Sequence, residues 1–307
     1  MKVFYSLEQV NSVEPTVIAL GNFDGVHLGH QALIKKAVEI SKEKHLKVGV
    51  FSFSNHPKNL TSDKEVKNIA YQDEKANLME SLGVDYLFNI EFTPEIMRTL
   101  PVDFINGILI EKFNMKHAVC GFNYHFGFKG EGDTNLLIEI GSHKGYEVSC
   151  MEPVTVDGDV VSSTLIRGLI KAGEMEDVKK FLGRNYDIEG EVVVGNRLGR
   201  TLGFPTSNIT VDEKMVTPPN GVYITYCIYN GVKYPSITNV GVKPTIGNYK
   251  KNMETHIFNF DKELYGKVIR VEFVKMTREE VKFSSVDELS RQIAKDCLDA
   301  KKYHNID

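Results

Sequence analysis

The stretch TVIALGNFDGVHLGHQALIKKA, residues 16–37, decides how the first half of the chain is read. A short apolar run, TVIAL, has the character of a buried strand. A turn through Gly21, Gly25 and Gly29 carries it into a helix-like stretch from His30 to about Glu43, with Leu33, Ile34, Ala37, Val38 and Ile40 on one side. A loop between a strand and a helix N-terminus offers backbone N–H groups and the positive end of a helix dipole, and glycines let an anion approach closely. His27 and His30, three apart, stand at that mouth and can donate to one ligand. Such donors suit a transition state in which charge builds on a phosphorus centre. Two neighbouring histidines by themselves are more often surface or core residues than catalytic ones. A metal site is the other alternative, but no third ligand of useful spacing is near and the pair is not at i, i+4 on a helix.

Working outward, strand and helix signals alternate. Strand-like runs LKVGVFSF (46–53), DYLFNIEF (85–92), HAVCGF (117–122) and YEVSCMEPV (146–154) are separated by helix-like EKANLMESL (74–82), PVDFINGILIEKF (101–113) and TNLLIEIGSHK (134–144). This alternation predicts an α/β unit, a doubly wound, Rossmann-like parallel sheet covered on both faces, whose ligands sit at the carboxyl ends of its strands. After two short helices within SSTLIRGLIKAGEMEDVKKFLGR (162–184), the pattern changes to successive strands: YDIEGEVVVG, GVYITYCIYN, VKYPSITNVGV, METHIFNF and KVIRVEFVKM. Short strands without intervening helices predict a small antiparallel barrel. An amphipathic helix over 284–303 closes the chain, with Ser285 as N-cap and Glu288 completing a capping box. The expected boundary lies near Gly183, giving domains 1–183 and 184–307.

Composition is that of an ordinary globular protein, with 42% hydrophobic and 25% charged residues over 307 positions. A net charge of -4 argues against a bulk electrostatic grip on nucleic acid. No apolar run reaches the length of a membrane span, and MKVFYSLEQV lacks the order of a secretory signal. Cys120, Cys150, Cys227 and Cys297 form no CxxC pair and read as free core thiols in a reducing cytoplasm.

Two constellations go further. GNFDGVHLGH resembles the GxFDGxHxGH signature of the nucleotidyltransferase superfamily, and SSTLIR (162–167) resembles its downstream S-[ST]-T-x-[IVL]-R signature. The resemblance implies that His27 and His30 contact the triphosphate of ATP during attack on its α-phosphate. Gly21, Phe23, Asp24 and Gly29 would then belong to the nucleotide-binding turn. Ser163 and Thr164 would open and cap a helix, and Arg167 would meet phosphate by a bidentate contact.

In the second half, GNRLGRTLGFPTSNI (195–209) resembles the signature of riboflavin kinase, followed in family order by NGVYITY, ITNVGVKPTIG and METHIFNFDKELYG. Nearly the whole chain is thus similar to the bacterial bifunctional riboflavin kinase/FAD synthetase family. That resemblance implies a six-stranded riboflavin-kinase-like barrel after the nucleotidyltransferase domain. Gly199, Arg200, Gly203, Pro205, Thr206 and Asn208 would form its ATP and flavin site. Thr206 and Asn208 carry hard oxygens of the kind Mg2+ accepts beside substrate phosphates, and Pro205 fixes the backbone ahead of them. Glu254, on the same strand face as His256, would take the proton from the ribityl 5'-hydroxyl.

The flavin side of the first domain would use Asn123 and Asp133, from NYHFGFKGEGD (123–133), and His56, from SNHP (54–57). His125, inside that motif, is a further candidate contact. Three departures stand out: PTSN for the family's PTAN, Phe128 where a basic residue is expected, with Lys129 one place later, and SNHP for x-P-H-P. The expected activity is phosphorylation of riboflavin to FMN, then adenylylation of FMN to FAD and pyrophosphate, with Mg2+ and ATP in both steps. The expected partners are riboflavin, FMN and ATP, without nucleic acid or membrane, and self-association is left open. Two alternatives remain: a nucleotidyltransferase with another phosphorylated acceptor and an inactive barrel, or a non-enzymatic flavin-binding regulator.

Overall fold

The computed structural model describes residues 1–62, 65–195, 198–245 and 248–307, with the backbone alone at 198, 200, 243–245 and 248–250. Parts of the GNRLGR and VKPTIG motifs, and the Arg200 side chain, lie outside the described residues. The chain divides into two compact units, Met1–Ser163 and Thr164–Asp307.

In the first unit, β1 (Lys2–Phe4), β2 (Thr16–Leu20), β3 (Lys47–Phe53), β4 (Tyr86–Ile90), β5 (Met115–Gly121) and β6 (Glu147–Met151) form one sheet in the order β1-β4-β3-β2-β5-β6. Every pairing is parallel. The doubly wound expectation is met. β2 is buried along its whole length because both faces are covered. Ile18 and Leu20 face one core with Phe88, Phe104 and Phe113, while Val17 and Ala19 face another with Ile34, Ala37 and Met79. The chain leaves β2 towards β3 on one side and returns to β5 on the other. The carboxyl end of β2 is therefore the topological switch point, where such sheets open a crevice.

Helix α1 spans Leu28–Lys44 and begins two residues earlier than its apolar spacing indicates. His27 is its N-cap: Nδ1 accepts from the His30 N–H at 3.3 Å. Helices α2 (Gln72–Ser81) and α3 (Thr134–Lys144) match their expected positions, and Pro101–Asp103 opens a turn that widens into a π-helix over Phe104–Lys112. A hairpin of β7 (Thr155–Val156) and β8 (Asp159–Val160) follows the sheet. Cys120 is buried as expected, but Cys150, on edge strand β6, is exposed.

The second unit is a closed antiparallel barrel. It comprises β9 (Tyr186–Val193), β10 (Ser207–Thr210), β11 (Gly221–Tyr229), β12 (Val232–Thr245), β13 (Asn248–Ile257) and β14 (Val268–Glu279). The six-stranded expectation is met. Buried hydroxyls of Thr225, Ser236, Thr238 and Thr255 bond one another across neighbouring strands at 2.8–2.9 Å. Helices α4 (Ser163–Ala172) and α5 (Met175–Leu182) precede the barrel, and α6 (Val286–His304) packs on it through Cys297 and Ala300. Ser285 caps α6, as read, and Glu288 reaches back to the N–H and hydroxyl of Ser284.

Candidate functional site

The turn after β2 is tightly determined. Phe23 and Val26 are fully buried with φ of +52° and +42°, a conformation that is costly for a bulky or β-branched residue and persists only where the surroundings enforce it. Ser52 Oγ donates to the Asn22 carbonyl at 2.7 Å, Gln31 Nε2 to the Val26 carbonyl at 3.0 Å, and Ser163 Oγ to the Asp24 carbonyl at 3.0 Å. Asp24 Oδ1 accepts the Ile69 N–H at 2.9 Å. The turn is clamped to the sheet, to α1, to Ser163 and to Ile69.

It presents His27 and His30 stacked, with ring centroids 3.6 Å apart and planes 15° apart, and with Phe23 against His30 at 5.0 Å. Gly29 makes room: a Cβ there would lie 3.2 Å from the His27 ring. The pair faces a cavity of about 570 Å³, a volume suited to a cofactor-sized ligand. Gly21, Gly29, Asn123, His125 and Ser163 also line it. Its far wall is aromatic, with Phe51, Phe53, Phe92, Phe104, Tyr124 and Phe126. No spacing rule in the sequence gathers these rings, which arrive from four separate segments. Burial raises the Tyr124 phenol pKa far above its ordinary value, with a smaller push from Cys120.

Other expected residues lie elsewhere. Phe23 and Asp24 shape the turn from beneath and are not in the cavity lining. Asp133 is the N-cap of α3, accepting the Leu136 N–H at 2.9 Å. His56 Nδ1 accepts the Lys58 N–H at 3.2 Å, and its neighbour Pro57 reaches the cavity instead. The NYHFGFKGEGD motif folds back through a Phe126–Gly132 bridge, and Lys129 Nζ stands 5.2 Å over the Phe128 ring. Thr164 and Arg167 follow Ser163 on α4, within the second unit.

The barrel carries a second constellation. Glu254 on β13 pairs directly with Asn208 on β10 and with Asn239 on β12, so the three side chains share one face. Asn252 Nδ2 donates to Asn208 Oδ1 and to Glu254 Oε1, both at 3.3 Å, and Asn208 Nδ2 donates to Thr206 Oγ1 at 3.5 Å. Thr206 lines two cavities at once. One holds Gly195, Pro205, Thr206 and Asn208; the other, about 270 Å³, holds Gly199, Thr206, Glu254, His256 and Arg278. Gly203 lies in neither lining. The His256 ring N–H at Nδ1 can donate to the Pro205 carbonyl at 2.8 Å, and burial lowers its pKa. An Arg278–Asp296 fork, with contacts of 2.8–3.2 Å, ties β14 to α6 beside the larger cavity. Among the described residues no group of three or more His, Cys, Asp or Glu could hold a metal.

Comparison with known proteins agrees with this division. A family model described as FAD synthetase matches residues 9–165, and one described as riboflavin kinase matches 182–304. The chain is 36% identical to a bifunctional riboflavin kinase/FMN adenylyltransferase of Listeria monocytogenes, over 99% of this chain and 98% of that one. It is 37% identical to the protein of that name from Bacillus subtilis, over 94% and 92%. A solved structure described as a macrolide-efflux protein from Streptococcus pneumoniae superposes with a TM-score of 0.90 at 28% identity, covering 98% of both chains. Among the described residues no helix is long and apolar enough to cross a membrane.

Proposed function

The chain belongs to the bifunctional riboflavin kinase/FMN adenylyltransferase family, and we propose that its two constellations divide the two reactions between them. The carrying observation is the stacked His27–His30 pair at the switch point, facing an aromatic-walled cavity. The FMN phosphate attacks the α-phosphate of ATP in line, and pyrophosphate leaves. The two imidazoles and the amino end of α1 act on the triphosphate as charge shifts onto the leaving group. Ser163 adds a phosphate contact. The isoalloxazine ring lies against the aromatic wall, with Asn123 and His125 at its edge. No covalent enzyme intermediate is needed, so positioning carries the step.

In the barrel, ATP occupies the cavity of Pro205, Thr206 and Asn208, and riboflavin the cavity of Glu254 and His256, with Thr206 on the wall between. Glu254 accepts the proton of the ribityl 5'-hydroxyl as that oxygen takes the γ-phosphate. The Thr206 hydroxyl and the amide of buried Asn208, whose Nδ2 lies 3.5 Å from Thr206 Oγ1, are the groups that would hold Mg2+ in its usual role beside substrate phosphates. Bound there, Mg2+ would neutralise phosphate charge. The functional boundary is placed at 183/184. A cytoplasmic location goes with the same reading and is supported by the four scattered cysteines.

The test is incubation with riboflavin, ATP and Mg2+, followed by chromatographic separation of flavins. Sequential appearance of FMN and FAD is expected. FMN that accumulates without FAD would remove the first assignment, and unconverted riboflavin with added FMN going to FAD would remove the second.

A further inference from the structure

Lys75 is a buried cation that the transfer chemistry does not use. It lies in the first turn of α2 and is 3% exposed. Its ammonium donates to the carbonyls of Phe53 at 3.0 Å and Asn22 at 3.4 Å and to Asn89 Oδ1 at 3.3 Å. These acceptors stand at the carboxyl ends of β3, β2 and β4, the three neighbouring strands on one side of the switch point. Asn89 Nδ2 in turn donates to Gln72 Oε1 at 2.9 Å, and Gln72 Nε2 to the Ser54 carbonyl at 2.8 Å. The strand ends are thereby stitched together by a polar network centred on one ammonium.

Burying a charge is costly unless its partners compensate. Position 75 lies one turn before Met79, which is fully buried against the sheet, so an apolar residue would suit the helix's inner face. What the ammonium supplies instead is donors for the Phe53 carbonyl and for the Asn22 carbonyl, which Ser52 Oγ also bonds. Both Asn22 and Phe53 line the first cavity. Asn22 is also part of the strained turn between β2 and His27. Burial pushes the Lys75 pKa down to about 8, with the Asp24 charge pulling the other way.

We propose that Lys75 is a positioning residue of adenylyl transfer: its ammonium fixes the ends of β2 and β3 and through them the turn that presents His27 and His30. It acts through that backbone and touches no substrate. The inference rests on the assignment of adenylyl transfer to the first unit.

The experiment compares wild type, Lys75→Met and Lys75→Arg in the full chain. Each is assayed for FMN-to-FAD conversion over a range of ATP and for riboflavin-to-FMN conversion, with circular dichroism and urea midpoints as fold controls. In Lys75→Met the kcat for FAD formation should fall by about 10- to 100-fold, as expected for sub-ångström misplacement of reacting groups, with KM for ATP within about threefold. Lys75→Arg, which restores charge and donors, should recover part of that kcat, and riboflavin phosphorylation should be unchanged in both. Lys75→Gln, which keeps one donor, replaces the Met variant if that does not fold. Equal kcat in wild type and the neutral variant, no recovery with Arg, or a loss that only follows the unfolded fraction would overturn the inference. Wild type that makes no FAD from FMN and ATP would instead remove the assignment on which it rests.

Discussion

The imidazoles of His27 and His30 lie face to face, 3.6 Å between centroids, while His27 Nδ1 also caps the helix that carries His30. On the proposed reading His27 therefore has two duties, local and chemical, and a substitution that separates them is informative. His27→Ala and His30→Ala should each lower FAD formation by about 10²-fold or more, comparable to losing one oxyanion donor, with FMN formation retained. His27→Asn restores a cap acceptor. It should recover helix stability by hydrogen exchange over residues 28–32 without recovering FAD formation. Recovery of both would make the first role the whole role.

Glu254 makes the converse case. It shares Asn252 with Asn208 and stands in the cavity on the far side of Thr206 from the proposed nucleotide. Glu254→Gln keeps size and hydrogen bonding and removes the proposed base. Riboflavin phosphorylation should fall by about 10²- to 10⁴-fold in kcat, while FMN-to-FAD conversion by the same preparation stays at the wild-type rate. Steady-state kinetics with each flavin separately checks this.

Gly127 tests the folded-back motif. Its φ is +73°, and a Cβ would lie 2.9 Å from the Pro101 backbone. Gly127→Ala combines a backbone conformation open essentially to glycine alone (φ +73°, ψ -172°), costing about 1–3 kcal/mol, with displacement of Pro101, which opens the turn leading to cavity-lining Phe104. The KM for FMN should rise while the KM for riboflavin in the kinase reaction does not.

Much of this was legible in the letters because the signals are local. Strand and helix alternation, the cap at Ser285 and the switch to successive strands all depend on residues a few places apart. The apolar spacing places the start of α1 two residues late because histidine is an uncommon N-cap and Gly29 looks like a helix breaker, although it sits in the first turn, where a Cβ would crowd the His27 ring. Strands β1 and β10 are too short, at three and four residues, for a period of two to register. Asp133 matched a family motif, yet Asp before TNLL is also an ordinary N-cap signal, and the side chain is in that position. The aromatic wall was beyond reach because Phe51, Phe92, Phe104 and Tyr124 meet only through the sheet order. Lys75 did leave a trace: it falls one turn before Met79, on the side of α2 that carries the apolar stripe.

That buried lysine also gives stability a pH dependence of definite sign. Its pKa falls from 10.5 to about 8 in the folded chain, mainly by desolvation, with Asp24 as the charged group opposing the shift. Below about pH 8 folded and unfolded chains both hold the proton, and the burial cost is constant. Between that value and 10.5 the unfolded chain keeps a proton that the folded chain has released, so this residue's contribution to unfolding free energy rises with pH. Lys75→Met has no such proton. The stability of wild type relative to the Met variant should thus shift in wild type's favour by as much as roughly 3 kcal/mol across the window. Paired urea titrations at about pH 7.5 and about pH 10 measure it, because the common titrations of all other groups cancel in the difference. A difference that stays level, or moves towards the variant, would mean that the ammonium keeps its proton inside the fold through that range.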